Sequence, residues 1–345
     1  MSWLARSITV PVSRRRNGEN PKFQIPSPKS QRDIGGWALG FGIWVLGFVD
    51  EAYAACERAA QAHYENFPVA SFLLPRPMRR HVAAVYAFAR AADDFADEGN
   101  LPASERLRLI DGWEQRLYAA AESPLPGLAP RAGEPPETRE VFVALGESIR
   151  SLSLPVKLFE ALLSAFRQDV TVTRYRTWDH MMSYCQCSAN PIGRLVLRIA
   201  GYDDRNLDAA SDAMCAALQL TNFWQDLKMD FDRGRIYLPE DERERSGALE
   251  RDLADGNITP EWQRALSTAV ARTRLLFAEG RYVCDGVSGR LRYELRATWL
   301  GGTRILDRLE KSSFDVVRRR PTLGVADAIL IAPLVLAWRP TVALT

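Results

Sequence analysis

Three features of this chain predict an all-α fold. From Glu51 onward, Ala-, Leu- and Arg-rich stretches repeat their apolar residues at helical spacing, no alternating β run competes with them, and the breaks between stretches carry Pro or Gly. Helices are expected near 50–65, 79–98, 103–121, 138–149, 155–168, 177–200, 207–231, 260–285, 290–317 and 323–338. They are punctuated at Pro75-Arg76-Pro77, Gly99-Asn100-Leu101-Pro102, Ser153-Leu154-Pro155, Gly201-Tyr202-Asp203 and Pro239, and the long Pro-rich stretch Ser123 to Pro136 reads as an exposed loop. No period of 20 to 50 residues marks a solenoid, so one helical domain over residues 51–345 is the simplest architecture.

Residues 1–50 differ in character and are read as a poorly ordered N-terminal extension. Arg14-Arg15-Arg16 and scattered Pro and Ser are followed by an apolar, Gly-rich run, Gly35 to Val49, which is short of the ~20 residues a membrane span needs. A surface membrane anchor or a mis-set translation start would each account for it. The closing apolar stretch, Ile329 to Trp338, is also too short to span and is expected to dock, with a membrane surface as one partner.

A chain of 345 residues with 47% hydrophobic content can bury a large core. Its formal charge of +2 gives no reason to expect nucleic acid as a partner. Five cysteines, an odd number without CxxC spacing, support neither a disulfide framework nor a zinc site, and they fit a reducing, cytoplasmic compartment. His180, Cys185 and Cys187 are therefore expected to be packing residues. No GxGxxG or GxxxxGK[ST] loop is present to hold a nucleotide.

The chemistry is concentrated in two acidic motifs, Asp93-Asp94-Phe95-Ala96-Asp97 and Asp226-Leu227-Lys228-Met229-Asp230. Each sets two carboxylates four residues apart, one above the other on a helix, where like charges cost about 0.2–0.5 kcal/mol per pair. Tyr86, Arg90, Asp93, Asp94 and Asp97 share an arc of roughly 100°, and Gln219, Asn222, Asp226 and Asp230 one of roughly 80°. The second helix is otherwise so apolar that it should be buried. Acids there would lose several kcal/mol of hydration each unless they face a lined cavity, where divalent cations offset the penalty. Magnesium held by one or two carboxylates plus phosphate oxygens suits two such rows, and it points to a phosphorylated substrate.

Tyr86-Ala87-Phe88-Ala89-Arg90-Ala91-Ala92-Asp93-Asp94-Phe95-Ala96-Asp97, Gln219-Leu220-Thr221-Asn222-Phe223-Trp224-Gln225-Asp226 and Gly234-Arg235-Ile236-Tyr237-Leu238-Pro239 resemble the signatures of the squalene and phytoene synthases. The resemblance runs from about Glu51 to about residue 338. It implies the isoprenoid synthase bundle around a central cavity, with two or three Mg²⁺ ions bound through a prenyl diphosphate. His63-Tyr64-Glu65-Asn66-Phe67-Pro68-Val69-Ala70-Ser71 and Ala297-Thr298-Trp299-Leu300-Gly301-Gly302 look most like the hydroxysqualene synthases of bacterial hopanoid biosynthesis. Many relatives have Ser at Tyr64 and Asn66 and Arg at Gln225, and these departures favour that branch.

By the same resemblance, Asp93, Asp97, Asp226 and Asp230 would bind metal. His63, Asn66, Tyr86, Arg90, Gln219, Asn222, Arg235 and Arg296 would contact substrate, and Tyr184 and Arg90 would be catalytic. The implied reaction is conversion of presqualene diphosphate to hydroxysqualene and diphosphate, without NADPH. Alternatives are head-to-head condensation of farnesyl or geranylgeranyl diphosphate to squalene, dehydrosqualene or phytoene, and, outside enzymology, a helical scaffold or assembly factor. Neighbouring squalene-pathway enzymes and the inner face of the membrane complete the expected surroundings.

Overall fold

The structure, a computed structural model of the chain, describes residues 34–62, 74–97, 101–123 and 129–340, with side chains from Gly47 onward in the first segment. The first half of the fold comprises α1 (Ile34–Ala62), α2 (Arg76–Asp97), α3 (Ala103–Glu122), α4 (Thr138–Leu152), α5 (Val156–Thr171), α6 (Trp178–Ser188) and α7 (Asn190–Ile199). The second comprises α8 (Arg205–Gln225), α9 (Leu227–Asp232), α10 (Glu240–Ser246), α11 (Glu250–Ala254), α12 (Pro260–Gly280), α13 (Val283–Gly286), α14 (Gly289–Lys311) and α15 (Val325–Leu336). Among the described residues the only β pairing is the bridge between Arg174 and Ile236, so the predicted all-α class holds.

Local chemistry sets the helix ends. Asp204 caps α8 by accepting from the Asn206 and Leu207 amides at 2.8 and 2.9 Å. Thr177 caps α6 through the His180 amide at 3.2 Å, and Pro260 opens α12 at a position where its missing N–H costs nothing. Several expected boundaries shift: the stretch 290–317 ends at Lys311, and 260–285 divides into α12 and α13 after Gly280. The helix foreseen near 50–65 begins at Ile34, because the run before it contains Gly but no Pro. The stretch 177–200 divides at Ala189, where Pro191 opens α7. The stretch 207–231 divides at Asp226, whose backbone relaxes to φ −103, ψ 9. The short helices α10 and α11 lacked a long enough apolar period to be foreseen.

Two aromatic cores flank the acidic motifs. In the first, Phe88 of α2, Trp113 of α3, Phe142 of α4 and Phe159 of α5 interlock, with the Trp113 and Phe142 rings 4.5 Å apart between centroids. In the second, Trp178, Trp224, Trp262 and Phe277 join α6, α8 and α12, and the Trp224 indole donates to Thr273 Oγ1 at 2.9 Å. A Cβ on Gly280 would lie 2.6 Å from the Met214 backbone nitrogen, and one on Gly302 would lie 2.5 Å from Phe277 Cζ. Hence α8, α12 and α14 approach closely, as the Gly301-Gly302 pair suggested. Gly280→Ala should force α12 away from the helix that carries Asn222, lowering stability by about 1–3 kcal/mol, readable as a drop in Tm.

Candidate active site

Both acidic rows turn inward. Asp93, Asp226 and Asp230 are buried, and Asp94 and Asp97 are half-buried. On α2, Arg90 lies 3.3 Å from Asp93 and 2.5 Å from Asp94, so one guanidinium spans the carboxylates a turn above it. Tyr86, one turn earlier, is buried on the same helix. Across the break between α8 and α9 the helical path persists: the Asp226 amide donates to Asn222 O and the Asp230 amide to Asp226 O, both at 2.8 Å. Asp226 and Asp230 thus keep the stacked geometry predicted for a single helix. Asn222 Nδ2 donates to Asp226 Oδ2 at 2.9 Å, and the Gln219 side chain is fully buried with no hydrogen-bond partner on either amide atom.

Arg235 ties the rows together. It follows Gly234, whose positive φ of 82° lets the chain reverse after α9 with Gly234 N on Phe231 O and Arg235 N on Asp230 O, both 2.8 Å. The Ile236 amide then bonds Thr173 O at 3.0 Å and the Glu240 amide bonds Tyr175 O at 2.8 Å, pinning the turn to the α5–α6 connection. So anchored, Arg235 Nη2 meets Asp97 Oδ1 at 2.6 Å and donates to Asp169 O at 3.0 Å. Its charge also reaches Asp230. The Asp97 carboxyl and the Asp230 carboxyl therefore share one guanidinium neighbourhood, although they belong to different rows.

Sequence reasoning missed two members of this cluster. Asp169, buried on α5, accepts from the Tyr184 hydroxyl at 2.7 Å. Its only sequence signal is an acid on the buried face of an apolar helix. Arg320 donates to both Asp226 oxygens, and Gln225, where many relatives carry Arg, donates through Nε2 to the adjoining Pro321 carbonyl. Here a neutral side chain fixes the turn that delivers the positive charge. Beneath the acids lies an aromatic floor in which Phe223 and Tyr237 stack at 3.7 Å, with Tyr175 and Tyr184 beside them.

The electrostatics are those of crowded, desolvated acids. Burial, reinforced by Asp226, lifts the Asp230 carboxyl to about 8. Burial also lifts Asp93 to about 6, with Asp97 adding and Arg90 opposing, and it raises Asp169. At Asp97 burial is outweighed by the Arg235 hydrogen bond, which holds that carboxyl below the ordinary range. Burial keeps the Tyr184 phenol far above its usual titration range, so it is a neutral hydroxyl rather than a phenolate.

These residues suit magnesium in kind: carboxylate oxygens on facing elements, with Asp230 Oδ2 lacking any hydrogen-bond partner. Among the described residues no group of three or more His, Cys, Asp and Glu closes on a common point. A cage made wholly of protein is not needed where one or two carboxylates act together with phosphate oxygens. Arg296 stands elsewhere, 3.5 Å from Asp285 and over the Trp338 ring, so the structure does not bring it to the carboxylates. His63 and Asn66 lie outside the described residues. The cysteines are free, and Cys56, Cys185 and Cys284 are buried.

Comparison with known proteins follows the same motifs. Residues 60–326 match the model of the squalene/phytoene synthase family. Hydroxysqualene synthase of Sinorhizobium fredii is 32% identical over 276 residues, covering 79% of this chain and 88% of that protein. The enzyme of the same name from Zymomonas mobilis is 37% identical over 215 residues, covering 61% and 67%. Among solved structures, squalene synthase HpnC of Alicyclobacillus acidocaldarius superposes with a TM-score of 0.69 at 35% identity, covering 78% of this chain and 98% of that one.

Proposed function

Because this chain belongs to the squalene/phytoene synthase family, whose members act on prenyl diphosphates, we propose that it converts presqualene diphosphate to hydroxysqualene with release of diphosphate. The observation that carries this reading is the gathering of Asp97, Asp169 and Asp230 around Arg235, with Asp93 beside Asp97 and Asp226 beside Asp230, above a floor of buried aromatics. An acidic site of that kind has little use for an anionic headgroup unless cations come with it. Two or three magnesium ions, held by Asp93 and Asp97 on one row and Asp226 and Asp230 on the other, would supply positive charge to the departing diphosphate.

The chain's own residues do the rest. Arg90, Arg235 and Arg320 already sit on the carboxylates, placed to share an incoming diphosphate with them, and Asn222 and Gln219 offer amide groups from the same helix. The unpartnered Gln219 amide needs a bound partner to justify its burial. On ionisation the bond from carbon to diphosphate oxygen breaks with its electron pair leaving on oxygen. The cyclopropylcarbinyl cation rearranges within the apolar wall, and a water lone pair closes the new C–O bond. Tyr184 and Asp169, joined by their hydrogen bond, form a neutral donor and a buried base suited to orient that water and take its proton.

Atoms and electrons balance with water as the only co-reactant, so NADPH is not consumed. The product is a largely hydrocarbon alcohol that must pass into lipid, which suits an enzyme working at the inner face of the membrane and receiving its substrate from neighbouring squalene-pathway enzymes. Purified protein with Mg²⁺ and presqualene diphosphate should give hydroxysqualene, identified by mass spectrometry, in the absence of NADPH. Turnover of farnesyl diphosphate alone to squalene, dehydrosqualene or phytoene, or a strict need for NADPH, would replace this reading with head-to-head condensation. No turnover of any prenyl diphosphate would favour the scaffold.

A further inference from the structure

No helix among the described residues is long and apolar enough to cross a membrane, yet α15 presents to solvent the residues of a membrane-inserting segment. Val325 is 79% exposed, Ile329 68% and Leu336 76%, and Leu330 and Leu334 are exposed beside them. Such a contiguous apolar surface on a folded chain marks an interaction site. The one charged residue of the helix, Asp327, is turned inward and held by Arg304 and Arg308, with Arg308 Nη2 at 2.6 and 2.7 Å from its two oxygens. Asp327 also accepts from the Gly324 amide at 2.7 Å. The helix is thus fastened to α14 by its only acid, and the outward surface is left without charge.

The borders of this surface are weighted toward positive charge, although Arg318 lies 3.8 Å from Asp315 and the Trp338 indole donates to Asp285 at 2.8 Å. Between Val316 and Pro340 the only acid is the buried Asp327, whereas Arg318, Arg319 and Arg339 are exposed. At the C-terminal end, Trp338 lies under the Arg281 guanidinium at 3.8 Å and edge-on to Trp299, and the exposed Tyr282 adjoins Arg281. Amphipathic aromatics and arginines at the rim of an apolar surface are the composition that settles at a headgroup layer. At about 1.5 Å per residue the 12 residues of α15 span about 18 Å, well under a bilayer's hydrocarbon thickness, so the helix lies in the plane of the interface.

We propose that α15 is a membrane-docking helix that inserts Ile329, Leu330 and Leu334 into the surface of an anionic bilayer, steered by Arg318, Arg319 and Arg339. A second copy of the chain is a poorer occupant. A two-fold contact would set this surface against itself and bring Arg319 and Arg339 toward their own copies, a like-charge arrangement that Asp315, already beside Arg318, offsets only in part. The proposal stands apart from the reaction assigned above, since it concerns binding to lipid alone.

The experiment is vesicle flotation of the full-length protein on phosphatidylcholine alone and on phosphatidylcholine with 30% phosphatidylglycerol. Wild type should float with the anionic vesicles, less with neutral ones, and less again at high salt. Ile329→Gln with Leu330→Gln and Leu334→Gln should lower partition at least tenfold with Tm unchanged. Arg318→Gln with Arg319→Gln and Arg339→Gln should abolish the preference for anionic lipid, at about fivefold per charge. Flotation of the apolar variant equal to wild type would overturn the proposal and move the contact elsewhere, for example to residues 35–49. So would a wild type that ignores vesicles and forms a dimer that the apolar substitutions dissociate.

Discussion

Asp230→Asn should leave a protein that is more stable without metal and nearly inactive with it. The Asp230 carboxyl lies at about 8 in the folded chain against an ordinary value of 3.8, so between those values the folded state holds a proton that the unfolded chain has released. That contribution to stability is complete below the unfolded value. It fades as pH rises toward 8, and beyond that the fold carries the full cost of a buried anion beside Asp226 and Asp97. An amide pays none of this. At pH 8 the metal-free variant should therefore exceed wild type by at least ~2 kcal/mol, a rise of a few degrees in Tm, and the gap should close as the pH is lowered toward 4.

Turnover should move the opposite way, by about 10²–10³-fold, the usual effect of removing one group that stabilises developing charge. Magnesium with inorganic diphosphate should raise the Tm of wild type and leave the variant close to its metal-free value, because only a state that binds the ligand is stabilised by it. Both readouts are melting curves. A variant less stable than wild type at pH 8 would show that Asp230 has a structural partner rather than a reserved ligand role.

How much of this site could be read from the chain depends on what kind of contact each residue makes. Arg90 reaches Asp93 and Asp94 through spacings of three and four, and Asn222 reaches Asp226 through four, so helical periodicity alone places them. Even the break at Asp226 leaves this intact, since the flanking i to i+4 backbone bonds survive it. Arg235 is 138 residues from Asp97, and only the family signature linked it to the acids. Asp169 and Arg320 stand on an isolated acid and within an arginine triplet. Neither pattern distinguishes a buried partner from a solvated charge, and Arg320 meets Asp226 across 94 residues.

Arg296 is placed by its neighbours in another way. Its place before Trp299-Leu300-Gly301-Gly302 suggested a site role, and the small residues do admit a neighbouring helix. The docking of α14 against α13 and the chain after α15 nonetheless turns its guanidinium toward Asp285 and Trp338. Which way a helix faces is a property of its neighbours, and a motif on one helix does not contain it. The cores were more legible: Phe88, Trp113, Phe142, Trp224 and Trp262 fall at apolar positions of their periods and are all buried.

Arg235→Met should unfold the protein more readily than any substitution of a single acid, and the loss should be partly reversed by a second change. Arg235 compensates Asp97 directly at 2.6 Å and offsets the charges of Asp169 and Asp230, so methionine, similar in length but uncharged, leaves three acids facing one another. Breaking a buried pair from one side typically costs about 3–5 kcal/mol. Asp97→Asn in the same chain removes the carboxylate most exposed to that loss. The double variant should recover about half of the deficit in Tm, with a coupling energy of roughly 1–3 kcal/mol from the cycle. Activity should not follow. If Arg235 also meets the diphosphate, turnover stays at least ~10²-fold below wild type in both Arg235→Met and the double variant, since restored stability does not replace the lost positive charge. Recovery of turnover alongside Tm would reduce Arg235 to a structural counter-ion.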